Sequence, residues 1–121
     1  MTDATRIADR YIAVWNESDP ARRRAMLAEE WNADATYVDP LASSAGVDEI
    51  AALIGAVQAR FPGFRFALDG RCDGYGDRIR FSWTLGPAAE PDMIRGTDFI
   101  VVENGRLQSV TGFLDKVPAG A

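Results

Sequence analysis

The sequence predicts an α+β fold, with three helices packed on one face of a curved, mainly antiparallel sheet, and three observations carry that expectation. Apolar residues recur at helical spacing through the first half of the chain, and the second half reads as four strands joined by short turns. The two kinds of segment do not alternate, so a doubly wound parallel sheet has no support. At 121 residues the chain forms one domain, residues 1–121, with room for a single core and a modest pocket.

Residues 4–16 carry Ile7, Ala8, Tyr11, Val14 and Trp15 at i, i+1, i+4, i+7 and i+8, with Arg6, Asp9 and Arg10 outside the stripe. This predicts a first helix with Tyr11 facing inward. Ser18-Asp19-Pro20 supplies a capping residue and then a proline at the first helical position, opening a second helix with Leu27 and Trp31 on one face. Asn32-Ala33-Asp34 breaks that helix. Residues 35–38 read as a brief strand that stops at Asp39-Pro40, because proline cannot donate to a ladder. Residues 41–45 form a loop of small residues. Ile50, Leu53, Ile54, Val57 and Phe61 then make a third helix, with Asp48 and Glu49 in its first turn and Pro62-Gly63 ending it.

Strands are expected over 64–72, 78–85, 93–102 and 107–114, separated by Gly74-Tyr75-Gly76-Asp77, by residues 86–92 and by Glu103-Asn104-Gly105. In the second of these, Ile79, Phe81, Trp83 and Leu85 share a face, while Arg78, Arg80, Ser82 and Thr84 share a wet one. The third is apolar on both faces: Phe99 and Val101 oppose Asp98 and Ile100. In the last strand, Val110 and Leu114 oppose Leu107 and Phe113. Helices can cover one face only, so a second copy is expected on the other, giving a homodimer to be checked by sedimentation. Residues 118–121 read as a frayed tail.

Asp98 is the most informative residue, a carboxylate sharing the inward face with Ile94, Gly96, Ile100 and Val102. Burial there demands either a neutralising partner or a pKa raised until the acid becomes a hydrogen-bond donor. The chain has no histidine, which removes Ser-His-Asp and Cys-His machinery, histidine-based metal sites and histidine proton shuttles. Acid-base work falls to carboxylates and tyrosines. Cys72 is the only cysteine, excluding an internal disulfide and a cysteine-cluster metal site, and reads as a buried, inert thiol.

A net charge of −5 would repel phosphate backbones and anionic lipid, so nucleic acid is not an expected partner. No stretch approaches the roughly 18 to 20 apolar residues of a membrane span, and the acidic N-terminus lacks signal-peptide character. A cytoplasmic protein is expected. Arg22-Arg23-Arg24, in the first turns of the second helix, reads as a solvated face in preference to an anion site.

The order of helices, the short strand ending in Asp-Pro and the long meander resemble the nuclear transport factor 2-like superfamily, a cone-shaped (cystatin-like) α+β fold. Three segments are similar to ketosteroid isomerases and the SnoaL-like group within it: Arg10-Tyr11-Ile12-Ala13 with Asn16, the strand Ala33 to Pro40, and Asp98-Phe99 followed by Gly105-Arg106-Leu107. The resemblance implies that Asp39 is the catalytic base, with Tyr11 and a protonated Asp98 donating to a substrate oxyanion; this division of labour is carried over from that family. It implies proton transfer on a small hydrophobic carbonyl compound, in a pocket lined by Trp15, Phe81 and Trp83, with no metal or cofactor. SnoaL-like polyketide cyclases are an alternative, although their usual histidine has no counterpart. Limonene-epoxide-hydrolase-like chemistry is disfavoured, since Trp83 and Gly112 fall where acids are required. A non-catalytic ligand-binding protein also stays open, with Asp39 forming an Asx turn and Asp98 ionised and paired.

Overall fold

The computed structural model describes residues 3–118, so positions 119–121 of the expected tail lie outside the described residues. The chain runs α1 (Ala4–Asn16), α2 (Pro20–Glu30), β1 (Trp31–Val38), β2 (Ser43–Ala45), α3 (Val47–Arg60), β3 (Arg65–Tyr75), β4 (Arg78–Gly86), β5 (Ile94–Glu103) and β6 (Arg106–Lys116). Asp3 caps α1 by accepting from the Arg6 amide at 3.1 Å, and Asp19 caps α2 by accepting from Ala21 at 3.0 Å.

The six strands form one curved, unclosed sheet in the order β2-β1-β6-β5-β4-β3. All neighbours are antiparallel except β1 and β6, which are parallel. The expected meander is therefore present, and β1 joins it through the last strand. The helices cover the inner face, where Ile79, Phe81, Trp83 and Leu85 of β4 meet Ile94 and Ile100 of β5.

Four local expectations are corrected. Trp31 belongs to β1 and not to the face of α2: it pairs with Leu107 of β6, and its ring stacks on Tyr11 at 5.9 Å. The polar residues after it form an irregularity in β1, held by Asn32 donating to Glu103 O and to Gln108 Oε1. Residues 43–45 pair with β1 as a short edge strand instead of remaining loop. Next, β6 has a bulge: Val101 faces Ser109 while Val102 faces Leu107, leaving Gln108 extra. The extra residue puts Leu107 and Val110 on the same, buried side, where strict alternation opposed them. On the outer face Phe99 and Phe113 are 44% and 51% exposed in the single chain and meet edge to face at 5.8 Å. Cys72, expected to be buried, is only half-buried.

Candidate functional site

Asp98 sits in the middle of β5, 2% exposed. Two glycines, Gly96 on its own strand and Gly112 on β6, make the close packing around it possible. Gly96 pairs with Trp83, and a Cβ there would fall 2.2 Å from the indole, so only glycine lets that ring lie across β5. The indole Nε1 then donates to Asp98 Oδ1 at 3.1 Å. On the other side Asp98 pairs with Gly112, where a Cβ would fall 2.8 Å from Asp98 Oδ1, 3.4 Å from Asp39 Cβ and 3.6 Å from the Tyr37 hydroxyl, so the carboxyl needs glycine there.

Tyr11 reaches the same carboxyl from α1. Its hydroxyl donates to Asp98 Oδ2 at 2.5 Å, and its ring packs on Trp31 and on Phe81, which is paired with Asp98 across the sheet. No arginine contacts Asp98 among the described residues; its partners are a phenol and an indole. Burial pushes the carboxyl up to about 6, opposed by the bonds from Tyr11 and Trp83 and assisted by the charges of Asp39 and Asp115. Burial also raises the Tyr11 phenol well above its ordinary value; the Asp98 charge adds to this, while the Trp15 indole N–H opposes it. Among the described residues Trp15 Nε1 is a buried donor that reaches no acceptor at full hydrogen-bonding geometry.

Asp39 lies just past β1 and is half-buried. Its Oδ1 accepts from the Leu41 and Ala42 amides, both at 2.8 Å, which is an Asx-type turn over Pro40. Its Oδ2 accepts from the Tyr37 hydroxyl at 2.7 Å. Burial, followed by the nearby Asp98 charge, drives the Tyr37 phenol far up, so it is a fixed donor. A carboxylate has about four acceptor positions, so three fixed bonds leave Asp39 oriented with one position free.

The fold thus brings Tyr11, Asp39 and Asp98 to one region, with Phe81 and Trp83 packed around them. Trp15 bridges that region to a cavity of about 480 Å³ between the ends of α1 and α3 and the start of β3. Its ring lies 5.5 Å from Tyr37 and 5.4 Å from Phe66. Of the six residues singled out from the sequence, this cavity touches Trp15 alone.

Tyr37, Gly96 and Gly112 were not singled out as site residues. Tyr37 had a legible signal, since it shares strand parity with buried Ala35 and with Asp39. The glycines carried a weaker one, glycine inside a strand, which marks close approach without naming the neighbour. Arg23 corrects the solvated-face reading of the basic run. Arg22 and Arg24 are exposed and pair with Glu17 and Asp48, but Arg23 is buried. Among the described residues no cluster of three or more His, Cys, Asp or Glu is placed to hold a metal ion, and no helix is long and apolar enough to cross a membrane.

Three helices packed on a curved, unclosed sheet of six strands make up the nuclear transport factor 2-like fold. Within it, residues 8–110 match the SnoaL-like domain, and the chain belongs to that family. A SnoaL-like protein from Agrobacterium tumefaciens str. C58, with an inferred isomerase assignment, is 44% identical; 95% of this chain and 99% of that one are covered, at a TM-score of 0.90. An inferred ketosteroid isomerase from Kribbella flavida DSM 17836 is 19% identical, covering 95% and 79% of the two chains at a TM-score of 0.69. An inferred SnoaL-like polyketide cyclase from Jannaschia sp. CCS1 is 13% identical, covering 95% and 92% at 0.70. The latter two bear on the fold alone. No curated protein matches the chain.

Proposed function

We propose that this protein shifts a proton between carbons next to the carbonyl of a small apolar compound. Asp39 acts as the base, and Tyr11 and neutral Asp98 stabilise the developing oxyanion. The observation that carries the reading is the convergence on Gly112: Asp98 Oδ1, Asp39 Cβ and the Tyr37 hydroxyl all lie within 3.6 Å of where a Cβ on that glycine would sit. A carboxyl at about 6 supports the division of roles, because an apolar substrate that excludes water would raise it further and favour the donor form. The free acceptor position on Asp39 is where a substrate proton would be taken.

The test is isomerisation of a β,γ-unsaturated ketone to its conjugated isomer. Asp39→Asn is expected to lower kcat by about 10²- to 10⁴-fold, the usual worth of a general base. Equal rates for the two proteins would remove Asp39 from the chemistry. A second reading, a non-catalytic binder of small ligands, is favoured by one observation: the 480 Å³ cavity reaches Trp15 but none of Tyr11, Asp39 or Asp98.

A further inference from the structure

Arg23 is 6% exposed on α2 and borders the large cavity. Its Nε donates to Glu17 O at 3.1 Å and its Nη2 to Gln58 Oε1 at 2.7 Å. Gln58 in turn donates to the Trp15 and Glu17 carbonyls at 3.0 and 2.8 Å, tying the end of α1 to the end of α3. These contacts give Arg23 a structural role and place it near the partly negative carbonyl end of α1. They do not complete it. Nη1 has no acceptor among the described residues and stays open to solvent, and no carboxylate pairs with the guanidinium, since Glu17 is engaged by Arg22. Arginine cannot shed its proton, so a buried guanidinium without a counter-charge is costly.

The cavity beside it is lined by the polar side chains of Asn16, Ser18 and Gln58 and by a larger apolar surface. Trp15, Phe61, Phe64, Phe66 and Leu85 line it, and the three phenylalanines are only half-buried, leaving aromatic surface available to a ligand. Asn16 offers nothing further, because its amide is spent on the Phe66 backbone in both directions.

We propose that this cavity binds an apolar monocarboxylate, whose carboxylate pairs with Arg23 and whose body packs against Trp15, Phe61, Phe64 and Phe66. One guanidinium matches one negative charge. A phosphate monoester would bring a second negative charge into a chain of net charge −5, and among the residues lining the cavity Arg23 is the only cation. The anion supplies the acceptor that Nη1 lacks, and the rings take the apolar end.

The inference stands apart from proton transfer by Asp39, and calorimetry on the whole chain tests it with three probes: 2-naphthoate, neutral 2-naphthamide and 2-naphthyl phosphate. Wild type should bind the carboxylate at least about tenfold more tightly than the amide or the phosphate, a difference of about 1.4 kcal/mol. Arg23→Met should erase the preference over the amide, Arg23→Lys should keep part of it, and Asp39→Asn should leave it intact. A wild type that binds neither carboxylate nor amide, binds both equally or prefers the phosphate overturns the proposal. So does a preference that survives in Arg23→Met. Should Arg23→Met fail to fold, the three probes on wild type still decide.

Discussion

Asp98 and Arg23 are both buried, at 2% and 6% exposure, yet their surroundings settle the two charges in opposite ways. Around Asp98 each carboxyl oxygen accepts from one fixed donor, and the packing is so close that two neighbouring strands need glycine. Around Arg23 the fold provides a carbonyl and an amide oxygen and then stops at an open cavity. The difference follows from the chemistry of the groups. A buried carboxyl can escape its charge by taking a proton, and here it does so near pH 6. A guanidinium has no such exit at any physiological pH, so its remaining need has to be met from outside the fold.

That contrast can be broken first at Gly96. A Cβ there would lie 2.2 Å from the Trp83 ring and 2.8 Å from the Phe113 carbonyl, so the indole must leave and its bond to Asp98 with it. Gly96→Ala should therefore cost about 4 kcal/mol in urea denaturation, overpacking and a lost hydrogen bond together. A midpoint equal to wild type would mean that the indole is not pinned.

Proton uptake gives the next effect. Because the folded-state pKa of Asp98 is raised, its stabilising contribution is complete below the unfolded value near 3.8 and disappears as pH rises through about 6. Wild type should lose about 3 kcal/mol from this group across that window, a slope that Asp98→Asn should lack. The difference between wild type and Arg23→Met should stay flat over the same range, since arginine does not titrate there. Denaturation at a series of pH values reads both, and parallel curves for wild type and Asp98→Asn would refute the Asp98 assignment.

The smallest change is expected at Tyr11. Tyr11→Phe removes one hydrogen bond to a buried carboxylate, worth about 2 kcal/mol at neutral pH. It also removes an influence that holds the carboxyl down, so infrared titration of Asp98 should move above about 6. An unchanged titration would mean that the phenol does not hold the charge.

Much of this contrast was legible in the sequence, though unevenly. Period-two alternation was enough to find Asp98 on an inward face, and helical spacing found Tyr11, because each signal is carried by several neighbouring residues. Arg23 was hidden by its company: three successive arginines look alike in sequence, and only the turn of α2 sends the middle one inward. The β6 bulge and the first residues of β1 were illegible for a related reason. Both depend on what lies across the sheet, Val101 and Val102 in one case and Leu107 in the other, and neither leaves a mark in its own segment.

The parallel pairing of β1 with β6 has a consequence for the order of events during synthesis. Tyr11 and Asp39 are made early, but the strand that brings Gly112 between Asp39 and Asp98 is the last of the sheet. Contacts this distant in sequence form late, after a costly loop closure. A nascent chain lacking β6 therefore holds Tyr11, Asp39 and Asp98 without the strand that gathers them, and the activity proposed above requires the final strand to dock.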